Sequence, residues 1–189
     1  MDPPIVYIEK EPFLDMLFAS VDTFRKECFG YILGSKPTRN NNCFKIVNVI
    51  TVASTIKRAN KEVRISKGCH ERINKIFDKY PKEYPYIGWF HSHPEWGSIP
   101  GSHEMSDDDI QETIHSQSDV AVVIKISSRR RERLDWVLKT DGGIRGTFSD
   151  YVVDVNMYRI IQVENQNIPE SLQIKAEAAI KVLNYANRK

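Results

Sequence analysis

His91-Ser92-His93-Pro94 is the segment of this chain best equipped for chemistry. In extended backbone, side chains two apart share a side, so His91 and His93 face one pocket while Ser92 faces away. Two imidazoles at that separation can share one metal ion, and neutral imidazole suits zinc. The same spacing also fits two strand-end histidines that only hydrogen-bond or face water. A third ligand has to come from elsewhere, and Ser106-Asp107-Asp108-Asp109 follows soon after. An aspartate there could ligate. Equally, Ser-x-x-Asp at a helix start forms a capping box, and acidic residues in a first turn suit the helix dipole. The two roles are compatible, because Ser106 can cap while an aspartate ligates. Glu27 stands in an apolar run beside Cys28 and Phe29, where burying a carboxylate is costly without a partner or a task. A half-exposed strand-end glutamate is the plainer reading of that residue alone.

The elements that must carry these residues follow from hydrophobic periodicity. A short β-branched run at 5–8 predicts a strand. Phe13, Leu14, Leu17, Phe18, Val21 and Phe24 recur at helical spacing and predict an amphipathic helix over about 11–25. Residues 27–33 read as a strand closed by Gly34-Ser35-Lys36-Pro37, and 44–53 as a strand buried on both faces. Ser66 is a good N-cap for a helix whose stripe is Cys69, Ile73, Ile76, Phe77 and Tyr80. A strand over 86–90 runs into the histidines, and Pro94 is expected to terminate its ladder just past them. An irregular stretch, 95–105, precedes a short helix from Ser106. Strands are expected at 120–126 and 133–139, the latter with Leu134, Trp136 and Leu138 alternating, and further strands within 144–158. A final helix places Leu172, Ala176, Ala179, Ile180 and Leu183 on one face. Helices and strands mix without regular βαβ alternation or internal repeat. The expected fold class is α+β, one domain with a central mixed sheet flanked by helices.

Bulk composition narrows the function. The 189 residues suit one domain, and 41% hydrophobic content supplies a proper core. The 27 basic and 25 acidic side chains nearly cancel, leaving +2, which gives no reason to expect a nucleic acid as the main partner. The basic run Arg129-Arg130-Arg131 with Arg133 reads as a solvated hairpin turn rather than a phosphate-binding patch. Cys28, Cys43 and Cys69 have no paired spacing, as in a reduced, intracellular protein without a disulfide framework or a zinc knuckle. The opening Asp2-Pro3-Pro4 is unlike a signal peptide, and no run of 18 apolar residues suggests a membrane span. The cytoplasm is the expected location.

Glu27-x-x-Gly30-x-x-Leu33-Gly34, then Gly88-Trp89-Phe90-His91-Ser92-His93-Pro94, then Ser106-x-x-Asp109 together resemble the JAMM (MPN-plus) metalloprotease family. The resemblance covers about residues 5–150. It implies the JAMM/MPN fold, cytidine-deaminase-like, over 1–160. Beyond its reach, 161–189 is read as a linker and a C-terminal amphipathic helix that docks on the domain or mediates a homodimer or complex. The resemblance implies His91, His93 and Asp109 as zinc ligands, Glu27 as general base and Ser106 as oxyanion donor. The stretch 95–105 is longer than typical members carry. At the usual spacing Gly101 would take the Ser position and Glu104 the Asp position, so the alignment treats 95–105 as a lengthened active-site loop. Asp107, Asp108, Glu104 and His103 remain alternative ligands. The activity implied is hydrolysis of amide bonds after the C-terminal tail of ubiquitin or a ubiquitin-like protein. Trp96 and Ile99 in the loop serve either as a substrate clamp or as a lid packed on the domain. Three alternatives differ in kind. One is a non-catalytic MPN-like scaffold, one a peptidase for small peptide conjugates, and one a RadC-like protein of DNA metabolism. A cysteine or serine hydrolase would need a nucleophile–base pair that the sequence does not display.

Overall fold

The computed structural model of the chain describes residues 4–38, 42–52, 55–58, 63–65, 67–77, 79, 84–128 and 133–189. Strand β1 (Ile5–Ile8) leads into helix α1 (Lys10–Asp22), which tolerates Pro12 because the first turn needs no amide donor there. Phe13, Met16, Leu17 and Ser20 form its buried stripe. Phe18, expected in that stripe, is 60% exposed and meets Phe148 in a T-shaped contact. Strands β2 (Phe29–Ser35) and β3 (Cys43–Thr51) follow. β3 buries Phe44, Ile46 and Val49 in the main core, whereas on its other side only Ile50 is packed, part-buried, and Lys45 and Asn48 face solvent. The continuous apolar run therefore overstates its burial.

A hairpin that periodicity did not suggest, β4 (Thr55–Arg58) and β5 (Val63–Ile65), precedes helix α2 (Lys67–Phe77). The Ser66 cap and the side chains of Cys69 and Tyr80 lie outside the described residues. Strand β6 (Tyr86–Glu95) carries both histidines and does not stop at Pro94. It pairs in parallel with β7 (Val120–Ser128), Pro94 opposite Ile126 and Glu95 opposite Ser127. Proline is tolerated because the Ser92 N–H points at β2, donating to Cys28 O. Two residues on, the Pro94 nitrogen faces the same side, beyond the point where β2 pairing has ended.

Helix α3 (Asp107–His115) bridges β6 and β7. β8 is only Val137–Leu138, and of the alternating trio just Trp136 is buried, edge-on to Phe13 at 5.7 Å. The arginines 129–131 lie outside the described residues. β9 (Ile144–Phe148) and β10 (Tyr151–Val163) form the far side. From 161 onward the chain is not a connector. It completes β10, forms β11 (Gln166–Ser171) and β12 (Gln173–Lys175), and ends in α4 (Glu177–Asn187). β12 adds in parallel to β1, and Leu172, Ile174, Ala176, Ala179 and Leu183 join the main core.

The sheet runs β12-β1-β3-β2-β6-β7-β10-β9-β8, with β11 on β10, and mixes parallel and antiparallel pairs. α1 and α4 pack together on one face over the larger core. On the other face Phe29, Tyr31, Trp89 and Ala121 form a second apolar cluster with Ile73 and Phe77 of α2 and Met105. The histidines lie in that second face, so it is the one that matters for chemistry. This is a single α+β domain of the expected class.

Candidate metal centre

Rows across the sheet set the site. His91 sits opposite Phe29 on β2 and Val123 on β7, and His93 sits opposite Lys125. Trp89, His91 and His93 share a face, with ring centroids 4.9 Å apart for Trp89–His91 and 4.5 Å for His91–His93. Phe29, stacked on Trp89, marks that face on β2. Ser92 points the other way and is fully buried.

Asp109 reaches the histidines from α3. Ser106 caps this helix: its Oγ accepts the Asp109 N–H at 3.2 Å, while Asp109 Oδ2 accepts the Ser106 N–H at 2.7 Å. The reciprocal box fixes the helix phase, so Asp109 turns inward, 7% exposed, while Asp107 and Asp108 stay in solvent. Asp109 Oδ1 lies 3.4 Å from His91 Nε2, and Oδ2 lies 3.6 Å from His93 Nε2. Among the described residues, His91, His93 and Asp109 form the group of ligand atoms that all lie within 4.8 Å of one another. Asp109 is thus both a partner in the capping box and a member of the cluster.

The protonation pattern suits a cation. His93 Nδ1 meets the Ser102 carbonyl at 3.0 Å. A carbonyl only accepts, so Nδ1 carries a proton, and in the neutral ring Nε2 is the nitrogen that keeps its lone pair, on the Asp109 side. Burial pushes the His91 pKa down to about 4, with Asp109 opposing and His93 adding to the shift, so its ring is neutral near pH 7. His91 Nε2 is buried without a hydrogen-bond partner. An orphaned imidazole nitrogen, a second nitrogen lone pair and a buried carboxylate make a donor set that a divalent cation satisfies. Just outside it, Lys125 is neutralised by Glu95 at 2.8 Å.

Glu27 is 6% exposed and precedes the first residue of β2, so the strand begins two residues later than expected. Cys28 packs into the opposite layer, its thiol 3.6 Å from Ser20 Oγ. Alternation carried back from Phe29 would put Glu27 on the histidine side. Extending the β2–β6 register by two residues places it opposite His93. Burial pushes the Cys28 thiol up, hydrogen bonds to Ser92 and Ser20 opposing, which leaves it a poor nucleophile.

The loop 95–105 folds back over the sheet. Trp96 and Ile99 exchange backbone hydrogen bonds at 3.2 and 3.0 Å. A Cβ on Gly101 would come within 2.9 Å of the His93 carbonyl, so only glycine lets the loop approach this closely. Met105 packs on the Trp89 cluster. His103 and Glu104, alternatives for the ligand, are exposed on this loop. Two features escaped the sequence reading. One is the grip of Ser92 on Cys28, which a polar residue facing a core could have signalled. The other is the polar side of β10, where Asp154, Asn156 and Tyr158 alternate with Val153, Val155 and Met157.

A solution structure of protein DSY2949 from Desulfitobacterium hafniense is similar, with TM-score 0.50 and 16% identity over 91% of this chain and 94% of that one. At that identity it supports the fold alone. No curated protein matches the chain. The family model described as JAB1/Mov34/MPN/PAD-1 ubiquitin protease matches residues 5–116, more than half of the sequence. The chain belongs to the JAB1/Mov34/MPN/PAD-1 family, and His91, His93 and Asp109 of its motif lie together in the fold.

Proposed function

We propose that the chain is a zinc-dependent isopeptidase or peptidase that cleaves the amide bond following the C-terminal tail of ubiquitin or a ubiquitin-like protein. The observation that carries this reading is the convergence of His91, His93 and Asp109 around an orphaned imidazole nitrogen. These three residues would hold the zinc, which when bound supplies Lewis acidity toward water and the scissile carbonyl. Three protein ligands rather than four is the pattern of a catalytic zinc.

The remaining work falls to the chain's own groups. Glu27 takes a proton from the attacking water on its carboxylate and later passes it to the departing amine. Ser106 Oγ already accepts the Asp109 N–H, so its own proton is available for the carbonyl oxygen as charge develops there. Such a donor contributes roughly 3 kcal/mol in comparable sites. No covalent intermediate is required, which leaves Cys28 a core residue. The reading includes a cytoplasmic setting, in keeping with the free thiols of Cys28 and Cys43.

Two measurements test it. Elemental analysis after chelator-free purification should find one zinc per chain, lost when His91 and His93 are both changed to Ala. A panel of ubiquitin-like fusions should identify a cleaved substrate, and Glu27→Gln should lower its turnover by roughly 10²–10⁴-fold with zinc retained. Zinc present without cleavage of any fusion or peptide would favour a non-catalytic scaffold. No zinc in the wild-type chain would defeat the enzyme reading.

A further inference from the structure

We propose that Tyr158 is a positioning residue for the metal centre, holding through its hydroxyl the loop backbone that fixes the His93 ring. The inference rests on the zinc reading above.

The connection can be followed atom by atom. His93 Nδ1–H donates to the Ser102 carbonyl at 3.0 Å. The next carbonyl along the chain, that of His103, accepts the Tyr158 hydroxyl at 2.8 Å. Two consecutive peptide units of the loop are therefore tied, one to the candidate ligand on β6 and one to β10. Register places Tyr158 in the row Trp89–Ala121–Tyr158, two strands from the histidine strand. Ala121 between them belongs to the cluster on which Met105 of the loop packs.

The side chains of the tied segment itself do not anchor it. Ser102, His103 and Glu104 are all exposed, so burial of their own side chains does not hold this stretch. Inside the loop, the Glu104 N–H to Ser102 Oγ bond at 3.0 Å is local and anchors nothing to the sheet. Tyr158, by contrast, is 6% exposed. Its oxygen accepts from Asn156 Nδ2 at 3.4 Å, so its single proton is directed at the loop. Asn156 is 2% exposed and is itself held, donating to Asp141 Oδ2 at 3.3 Å and accepting from Lys139 Nζ at 3.1 Å. A polar network running from the β8–β9 turn to β10 thus ends at the loop carbonyl next to the one that meets His93 Nδ1. Partners of this outer kind keep a ligating histidine in the right tautomer and orientation, and their loss weakens metal binding by roughly 10–100-fold.

Tyr158→Phe removes only the hydroxyl and keeps the ring packing. Tyr86→Phe is the control, since Tyr86 also has a largely buried hydroxyl, bonded to Ser118 Oγ at 2.6 Å, with no bond to the loop among those described. The first readout is the His93 tautomer by ¹⁵N NMR of the metal-free chain above pH 7. Wild type and Tyr86→Phe should show Nδ1–H, and Tyr158→Phe a mixture of tautomers. The second is zinc affinity by competition with a chromophoric chelator, which should fall roughly 10–100-fold in Tyr158→Phe alone. An unchanged His93 tautomer in Tyr158→Phe, or an affinity matching that of Tyr86→Phe, overturns the proposal. A wild-type chain that binds no zinc defeats the metal reading instead. The tautomer comparison, made without metal, then still decides whether Tyr158 sets the His93 ring.

Discussion

Ser92 and Cys28 clamp one another across β6 and the start of β2: the Cys28 N–H donates to Ser92 Oγ at 2.9 Å, and the Ser92 N–H donates to Cys28 O at 3.3 Å. The residue between the two histidines therefore grips the residue beside Glu27, from the layer opposite the metal centre. Regular β2 pairing starts only at Phe29, so this side-chain bond extends the register to the segment that carries Glu27.

Ser92→Ala should accordingly leave the Cys28 N–H buried without its partner, destabilising the fold by about 1–3 kcal/mol. Zinc content should be unchanged, since no ligand is touched. Turnover should fall through kcat rather than KM, with Ser92→Thr restoring most of it. Steady-state kinetics together with urea unfolding would check this. A Ser92→Ala variant with full kcat would mean that Glu27 is held by other contacts.

The capping box makes Asp109 answerable for two effects that substitution can separate. Asp109→Ala removes both the Ser106 N–H acceptor and the candidate ligand. It should cost about 1 kcal/mol of stability from the cap and lose zinc. Asp109→Asn keeps an oxygen that can accept the Ser106 N–H, so stability should be largely spared while zinc binding weakens. Asp107→Ala and Asp108→Ala, on the solvent side of the first turn, should leave zinc in place. Metal titration of the four variants decides the alignment across the long loop: zinc loss in Asp107→Ala would shift the ligand by two residues.

How much of this is legible before the structure depends on how local the cause is. His91 and His93 share a face because strand alternation demands it, and Asp109 turns inward because a Ser-x-x-Asp cap sets the helix phase. Both causes lie within four residues. Pro94 misleads, because whether a missing N–H matters depends on which neighbour the strand has at that point, a property of the sheet and not of the segment. The stretch from 161 misleads for the same reason. β12 is three residues long and exists only because the edge of β1 is available to it. Tyr158 and Ser102 are joined through a contact spanning 55 residues between Tyr158 and His103, and no local pattern announces it.

In the metal-free chain, the buried His91 should make stability fall in mild acid. Its folded pKa, near 4, lies below the ordinary histidine value of about 6.5. As pH drops beneath 6.5 the unfolded chain takes up a proton that the native site refuses, so acid favours unfolding. The loss attributable to this group is about 2 kcal/mol between pH 7 and pH 5. Urea unfolding in the presence of a chelator, compared with His91→Gln, isolates it. Equal pH slopes for the two proteins would mean that His91 is not held neutral by burial.

The loop and the substrate can be tested together. Arg25 lies over the Trp96 ring, 3.6 Å from its centroid, in a backbone conformation with φ of 83° that a non-glycine residue adopts only when its surroundings hold it. Trp96 nevertheless remains 40% exposed. The pair borders an open cleft that Asp22, Phe24, Asp150 and Tyr151 also line. Arg25 is two residues from Glu27, and Trp96 three from His93. A half-exposed indole held in place by a stacked guanidinium suits a clamp better than a fully packed lid, since it keeps a face for a partner. A ubiquitin-like fusion should therefore be cleaved much faster than its last few residues as a free peptide, and Trp96→Ala should raise KM for the fusion by roughly 10-fold, with kcat little changed. Equal efficiency for fusion and peptide would remove the folded partner from recognition and point to small peptide conjugates instead. An unchanged KM in Trp96→Ala would leave the stacked pair a structural feature of the loop.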